Sequence, residues 1–528
     1  MTRNLVRFVA ALPFVVGLAA CGGGGGGLAS PPPPPPPGGG WQQGVFLDYL
    51  SFYARCAAPR AGTNPATGQP YPDMAGTVLD ENNFLRSYSN DTYLWYDEIV
   101  DQNPANFNDP LDYFDELQTF ATTPSGAPKD KFHFTYDSME WYQLSQGGVS
   151  AGYGAEWAVI SPTVPREIVV AFTEPNSPAT AQNIARGATV LAVDGVDIDT
   201  NTQAGVDTLN NGLFPANLNE THTFTIQDIG AQNSRQVTMT STQITNAMVQ
   251  NTQVIVTQTG RIGYLTFNYH RAPAEQDLID AVNSLNAGQG IDDLVLDIRY
   301  NGGGYLDIAS ELAYMIAGAG PTAGKTFEEL EFNAKHPTTD PVTGDPLTPT
   351  PFHNQTLGFS AAPGQALPTL DLPRVFVLTG PGTCSASESI MNGLRGAGVQ
   401  VIQIGSTTCG KPYGFYPTDN CGTTYFTIQF RGINELGFGD YTDGFVPSAI
   451  DDSQDNVLGC PVADDYTQAL GDPAENRLEV ALAYQAGQGC ITPAAVSPGL
   501  LGKPGVRLDA VDGVVYRSPF DANRILKQ

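Results

Sequence analysis

Basic residues are scarce in this sequence: Lys and Arg number 25 against 54 Asp and Glu, a formal net charge of −29 over 528 residues. So acidic a surface repels phosphate backbones and gains nothing from counterion release, which argues against nucleic acid as a partner. Long apolar runs are also missing. Beyond the N-terminus no stretch reaches eighteen uninterrupted apolar residues, so no spanning helix is expected and the rest is read as soluble. Histidine is down to five, His133, His222, His270, His336 and His353, each expected to be a surface or core polar group. No CxxC and no Cys/His pair has zinc spacing, so neither a metal nor another cofactor is expected.

The first residues carry a short positive region, Arg3 and Arg7, and an apolar stretch from Phe8 to Leu18. That stretch is too short to span a bilayer and fits a signal peptide. Leu18-Ala19-Ala20-Cys21 resembles the bacterial lipoprotein cleavage box, in which the cysteine becomes the lipid-modified N-terminus. Gly22 rather than Asp after it implies, by that resemblance, the periplasmic side of the outer membrane. Gly22–Gly27, Pro31–Pro37 and Gly38–Gly40 follow. Such runs bury no core, and the prolines make a semi-rigid spacer of roughly 20 Å. Without Arg3 and Arg7 the chain keeps 23 basic residues and a net charge of −31.

The other cysteines are Cys56, Cys384, Cys409, Cys421, Cys460 and Cys490. An even number in an oxidising compartment suggests disulfides, and six allow fifteen pairings. The sequence-local guesses are Cys409 with Cys421 and Cys460 with Cys490.

Residues 41–146 read as a helical N-terminal cap with aromatic core anchors, Phe84-Leu85, Tyr93-Leu94-Trp95-Tyr96 and Tyr113-Phe114. Residues 147–245 change to short β runs: a strand Glu167–Phe172, a short helix from Ser177-Pro178-Ala179, a strand Val190–Val193, a turn at Asp194-Gly195 and a helix near Gln203–Leu209. Residues 246–458 alternate strands (Ile262–Phe267, Leu294–Ile298, Val375–Leu378, Val401–Gly405) with helices (Ala274–Leu285, Ser385–Gly396). That alternation implies an α/β core around a largely parallel sheet. The Pro- and Thr-rich stretch from Phe327 to Leu367 is expected to be an irregular insertion. Residues 459–528 form a C-terminal extension with one helix near Pro473–Gln485 and a turn at Asp512-Gly513, and no function is assigned to it.

Three motifs carry chemistry. In Gly380-Pro381-Gly382-Thr383-Cys384-Ser385-Ala386-Ser387-Glu388 a serine sits where a strand ends and a helix begins, so the helix N-terminus favours developing negative charge. Taken alone, a serine there is more commonly a helix N-cap. All five histidines precede Ser385 and the segment lacks GxSxG, which excludes the α/β-hydrolase order. Lys411 is the other candidate base. In sequence it lies near Tyr413, Phe415, Tyr416 and Tyr425, and burial among aromatics would strip its hydration and let a neutral amine accept a proton. Third, the buried strand of Leu294-Val295-Leu296-Asp297-Ile298 opens through Arg299-Tyr300-Asn301 into Gly302-Gly303-Gly304, where unshielded backbone N–H groups can face an oxyanion.

In this order the three resemble the carboxyl-terminal processing peptidases (tail-specific proteases), which carry "LVLDLRNNxGG", "SASE" and, some 25 residues on, "GK", with a PDZ domain upstream. The resemblance covers about Phe84 to Ile450. It implies a ClpP/crotonase-like α/β core, a β-rich PDZ-like domain and a helical cap. It also implies a serine endopeptidase with Ser385 as nucleophile, Lys411 as general base and an oxyanion hole from the N–H groups of Ala386 and of Gly303 or Gly304. By the same resemblance the peptide-binding loop of the PDZ domain falls at Tyr153-Gly154-Ala155-Glu156, capturing protein or peptide C-termini. Two positions depart from the family: Phe415 where many members have a Gln that orients the lysine, and Gly396 where some have an Asp. A catalytically weak PDZ scaffold tethering envelope proteins is the alternative that these departures leave open.

Overall fold

Seven strands carry the C-terminal half, in the spatial order Val249–Val256, Arg261–Phe267, Asp293–Asp297, Arg374–Thr379, Gln400–Gly405, Asn456–Pro461 and Val446–Ser448. All neighbours are parallel except the edge pair Val249–Val256 with Arg261–Phe267. Both faces are covered, which is why the inner strands read as unbroken apolar runs. Leu294, Leu296, Val375 and Val377 pack beneath helices Ala274–Asn286, Leu306–Ala317 and Ala386–Gly396. Val295, Phe376 and Leu378 face helix Asn476–Gln485 on the other side. The expected parallel α/β core is present.

This computed structural model describes residues 41–65, 67–147, 149–450, 454–493, 512–515 and 524–525. The signal peptide, Cys21 and the Gly/Pro linker expected at 1–40 lie outside the described residues. Among those described, no helix is long and apolar enough to cross a membrane.

A second sheet, antiparallel throughout, runs Arg235–Thr240, Thr221–Gln227, Thr189–Val193, Glu167–Thr173, Ala155–Ser161 and Val514–Val515. Asp194 and Gly195 make its hairpin with φ of 49° and 78°, the left-handed pair that a two-residue turn between twisted strands requires. Ser177 caps the short helix Pro178–Ala181 through a reciprocal bond with Thr180. Helix Gln203–Leu213 closes the sheet's core through Leu209 and Leu213. Between that helix and the strand Ala155–Ser161 lies a groove of about 440 Å³, lined by Val159, Ile168, Val206, Leu209, Leu213 and Phe214 among others.

Buried ions join the two sheets. Arg186 donates to Asp464, to the Tyr300 hydroxyl and to the Ala171 carbonyl, each at 2.6 Å. Arg299, fully buried, pairs with Asp297 at 2.9 Å and with Asp464 and Glu475 at 2.7 Å. Burial opposes ionisation of Asp464, but Arg186, Arg299 and Arg477 outweigh it and hold its carboxyl below the ordinary value. Removing one partner from such a network strands its buried mates, at a cost of about 3–5 kcal/mol. Arg299 lies between the central strand and the glycine loop, so the network fixes the base of that loop.

Three expectations need correction. The segment 41–146 is less helical than expected: Val78–Thr92 is its one long helix, and the rest is short turns, strands and the helices Pro110–Phe114 and Ser138–Gly147. Its aromatic anchors are core, but a core shared with the C-terminal half, Phe84, Tyr113 and Phe114 with Tyr425, and Tyr93 and Trp95 with Phe415 and Phe426. The segment therefore needed no helical stripe of its own. Second, the insertion opens with a strand, Thr326–Phe332, paired antiparallel to Phe430–Ile433. Third, Cys409 pairs with Cys384 and Cys421 with Cys56; only Cys460–Cys490 is as expected. Proximity in sequence is no guide here because Cys56 is 365 residues from its partner, in a segment held to the Cys421 turn by the Ala54 N–H donating to the Asn420 side chain at 2.9 Å and by Arg60 pairing with Asp419 at 3.0 Å.

Candidate active site

The strand Arg374–Thr379 ends in a turn that delivers Ser385 to the N-terminus of helix Ala386–Gly396. Thr383 braces the turn: its hydroxyl donates to the Ile298 carbonyl at 2.9 Å and accepts from the Gly380 N–H at 3.0 Å. The Cys384 N–H donates to the Asn301 carbonyl at 3.1 Å, stitching this turn to the glycine loop. Ser385 has φ 60° and ψ −118°, a conformation costing a non-glycine residue about 1–3 kcal/mol and held only by surrounding structure. Its hydroxyl is buried and has no hydrogen-bond partner among the described residues, so it does not serve as the helix cap.

A glutamate performs that service. The carboxylate of Glu388 accepts from the backbone N–H groups of Ser385, Gly410 and Lys411, each at 2.9 Å, and from the Thr408 hydroxyl at 2.5 Å. Burial pushes the Glu388 carboxyl up, and the bonds from Thr408, Lys411, Gly410 and Ser385 oppose that only in part. One buried side chain thus holds the backbones of the serine and of the lysine. The sequence displayed Glu388 within its motif, but gave no sign that its partners lay 20 to 23 residues away.

A covalent tie runs alongside. The Cys384–Cys409 disulfide joins the residue before the serine to the second residue before the lysine, and the Cys409 N–H donates to the Thr383 carbonyl at 3.0 Å. Cys384, Glu388 and Cys409 lie within metal-ligand reach of one another, yet the two sulfurs are bonded together and leave no thiolate to bind an ion. Opening this 25-residue loop costs about 3 kcal/mol by chain entropy. The double variant Cys384→Ser, Cys409→Ser is expected to lower turnover three- to tenfold and to melt earlier. Turnover equal to that of the parent would show that Glu388 positions the pair alone.

Lys411 is 1% exposed. Its Nζ lies 4.4 Å from the ring centroid of Phe132 and 4.9 Å from that of Phe415. Of the four aromatics near it in sequence, Phe415 is the one whose ring faces the ammonium. The second ring comes from the N-terminal segment and was missed, because nothing in the sequence links Phe132 to a lysine 279 positions on. Asp130 sets that segment, accepting from the Phe132 N–H at 2.8 Å and the Tyr93 hydroxyl at 2.7 Å. Gly410 has φ 79°, and a Cβ there would lie 2.2 Å from the Thr442 carbonyl oxygen, so only glycine fits. At Gly396 a side chain would strike Asn434 at 2.9 Å, which accounts for the missing Asp.

In the glycine loop, Asn301 donates to the Phe267 carbonyl at 2.9 Å, while its side-chain oxygen accepts from the Gly303 N–H and from His270 Nδ1, both at 3.0 Å. The Gly303 amide is therefore committed within the loop. The Ala386 N–H, first in its helix, has no intrahelical acceptor. His270 is wholly buried, and its Nε2 has no partner among the described residues. Burial pushes it down to about 3, against the bonds from Asn301 and Gly303. The unfolded chain protonates it near 6.5 and the folded chain only near 3, so its contribution to stability is full above pH 6.5. Below that it drains away at about 1.4 kcal/mol per pH unit. Urea unfolding of the parent and of His270→Gln between pH 4 and 7 is expected to differ by nearly that slope; parallel curves would refute the buried neutral imidazole.

The structure does not bring Tyr153, Gly154, Ala155 and Glu156 into this group. They open the strand Ala155–Ser161 in the antiparallel sheet. The Tyr153 ring is buried against Phe224, and the carbonyls of Tyr153 and Gly154 accept from the N–H groups of Ala179 and Glu174 at 2.9 and 2.8 Å.

Residues 261–415 match the model of peptidase family S41, and residues 80–132 match the peptidase S41 N-terminal domain. A carboxyl-terminal-processing protease of Picosynechococcus is 26% identical over 309 residues, which cover 56% of this chain and 64% of that protein. The matched stretch thus spans just under two thirds of that relative's length. A crystal structure of an S41-type protein of Bacteroides fragilis superposes with a TM-score of 0.58 at 20% identity, covering 79% of this chain and 98% of that one, a likeness of fold. These matches place a peptidase family S41 segment, residues 261–415, on the α/β core. The chain is thus similar to the carboxyl-terminal processing peptidases, peptidase family S41.

Proposed function

We propose that this protein is a serine endopeptidase that cleaves proteins or peptides of the bacterial cell envelope through a Ser385–Lys411 dyad. Ser385 Oγ attacks the peptide carbonyl while the neutral amine of Lys411 takes its proton. The Ala386 N–H and the glycine loop stabilise the oxyanion, with Gly304 the open candidate since Gly303 serves Asn301. Lys411 then protonates the leaving amine, and water resolves the acyl-enzyme. The observation that carries this reading is the shared hold of Glu388 on the backbones of Ser385 and Lys411. The aromatic faces of Phe132 and Phe415 take the place of an orienting amide.

The antiparallel sheet is the proposed PDZ-like module, with its groove beside the strand Ala155–Ser161 as the place where a C-terminal segment adds as a further strand. Lipid attachment at Cys21 and residence at the outer membrane belong to the same reading, supported by the leader box. Cleavage of an unfolded protein ending in an apolar tail, compared with the same protein ending in charged residues, tests it. Faster loss of the apolar-tailed protein is expected. Binding without cleavage would favour a scaffold instead.

A further inference from the structure

Two short strands near the C-terminus, Val514–Val515 and Arg524–Ile525, pair with the edge of the antiparallel sheet and with the glycine loop. Val514–Val515 pairs antiparallel with the free edge of Ala155–Ser161, Val514 opposite Val159 and Val515 opposite Ala158. Val515 is buried with Ala158 and Val169. This part of the tail is fastened to the core: Asp512 accepts from the Asp464 N–H at 2.9 Å and pairs with Arg477, and the Gly513 N–H donates to the Tyr466 hydroxyl at 3.2 Å. The strand after the Asp512-Gly513 turn forms no local hairpin among the described residues and pairs instead with a segment some 350 residues earlier.

Further on, Arg524–Ile525 pairs in parallel with Gly304–Tyr305, the end of the glycine loop. It also lies beside Tyr413–Gly414, two residues beyond Lys411. The tail therefore passes between the loop proposed to hold the oxyanion and the segment that carries the base. A strand of two residues has no stability of its own and persists only where a template pairs with it. Eight residues lie between Val515 and Arg524, a reach of up to about 30 Å when extended, so one tail can engage both places. Charge favours it: residues 501–528 carry five Lys and Arg and three Asp, in a chain whose net charge is −29.

We propose that the C-terminal tail is a tethered competitor of substrate, added as a strand to the edge of Ala155–Ser161 and laid along the glycine loop. The catalytic consequence rests on the Ser385–Lys411 reading; the docking does not. The tail also marks the path of a substrate, an extended chain running parallel to Gly304–Tyr305.

The test uses a fluorescent peptide of residues 518–528 and three proteins carrying Ser385→Ala. One has the native tail, one adds Arg524→Pro with Ile525→Pro, which removes both backbone donors, and one stops after Phe520. Equal melting temperatures confirm that all three are folded. A tether supplies an effective concentration near the millimolar range, so the peptide is expected to bind the two altered chains about tenfold or more tighter than the native one. With Ser385 restored, hydrolysis of a short peptide should rise by a similar factor in both. Equal binding to all three, or no binding to the altered chains, overturns the proposal. Tighter binding without hydrolysis by any Ser385 protein upholds the docking and overturns the dyad.

Discussion

Ser385→Ala and Lys411→Met are each expected to lower peptide hydrolysis at least about a thousandfold, with melting temperatures close to the parent's. A hydroxyl is a poor nucleophile until a base takes its proton, and in the proposed dyad removing the base should cost about as much as removing the hydroxyl, because the two would act as a unit. Methionine is the informative replacement for Lys411, since it keeps the packing against Phe132 and Phe415 and deletes only the amine. Ser387→Ala is the control. Ser387 is buried one residue inside the helix and, like Ser385, has a hydroxyl without a partner among the described residues. It lacks the positive φ that sets Ser385 apart, so its loss should change the rate only a few-fold. Loss of activity in Ser387→Ala with retention in Ser385→Ala would reassign the nucleophile.

Glu388→Gln is the second large effect. The carboxylate accepts from four donors, whereas an amide of the same shape turns an NH2 group towards some of them. The expected cost is about 2–4 kcal/mol of stability, from buried donors left facing another donor. An expected fall in kcat of about a hundredfold reflects a serine and lysine no longer held in register, since misplacement by 1 Å suffices for that. KM should hardly move, because Glu388 is buried and its carboxylate is taken up by Thr408 and by the backbone of Ser385, Gly410 and Lys411. A merely structural loss would lower the amount of active enzyme and leave kcat per titrated Ser385 unchanged. Titration with a serine-reactive phosphonate therefore separates the two, and a normal kcat per titrated site would remove Glu388 from a positioning role.

Much of the fold was written in short-range patterns. The runs Leu294–Leu296 and Val375–Leu378 are apolar at every position because their strands are covered on both faces. Asp194-Gly195 is a turn that few other pairs can make. Ser177-Pro178-Ala179 caps and starts a helix through contacts three residues apart. Each depends on neighbours in the chain, so composition and spacing suffice to find it. The family resemblance was legible for a related reason: the glycine loop, the serine turn and the lysine segment each demand specific residues locally.

The sequence by itself determined the parallel core, the β-rich middle, the acidic surface and the identity of Ser385 and Lys411 as the residues to examine. Tertiary structure alone decided what holds them. Glu388 binding across 23 residues, Phe132 arriving from the far end of the chain, Cys384 pairing with Cys409, and the tail lying along Gly304–Tyr305 are all long-range contacts. Such contacts leave no local period or spacing. They form because folding a two-faced sheet brings the ends of distant strands to one edge, and a residue at that edge is free in sequence until its partner arrives in space.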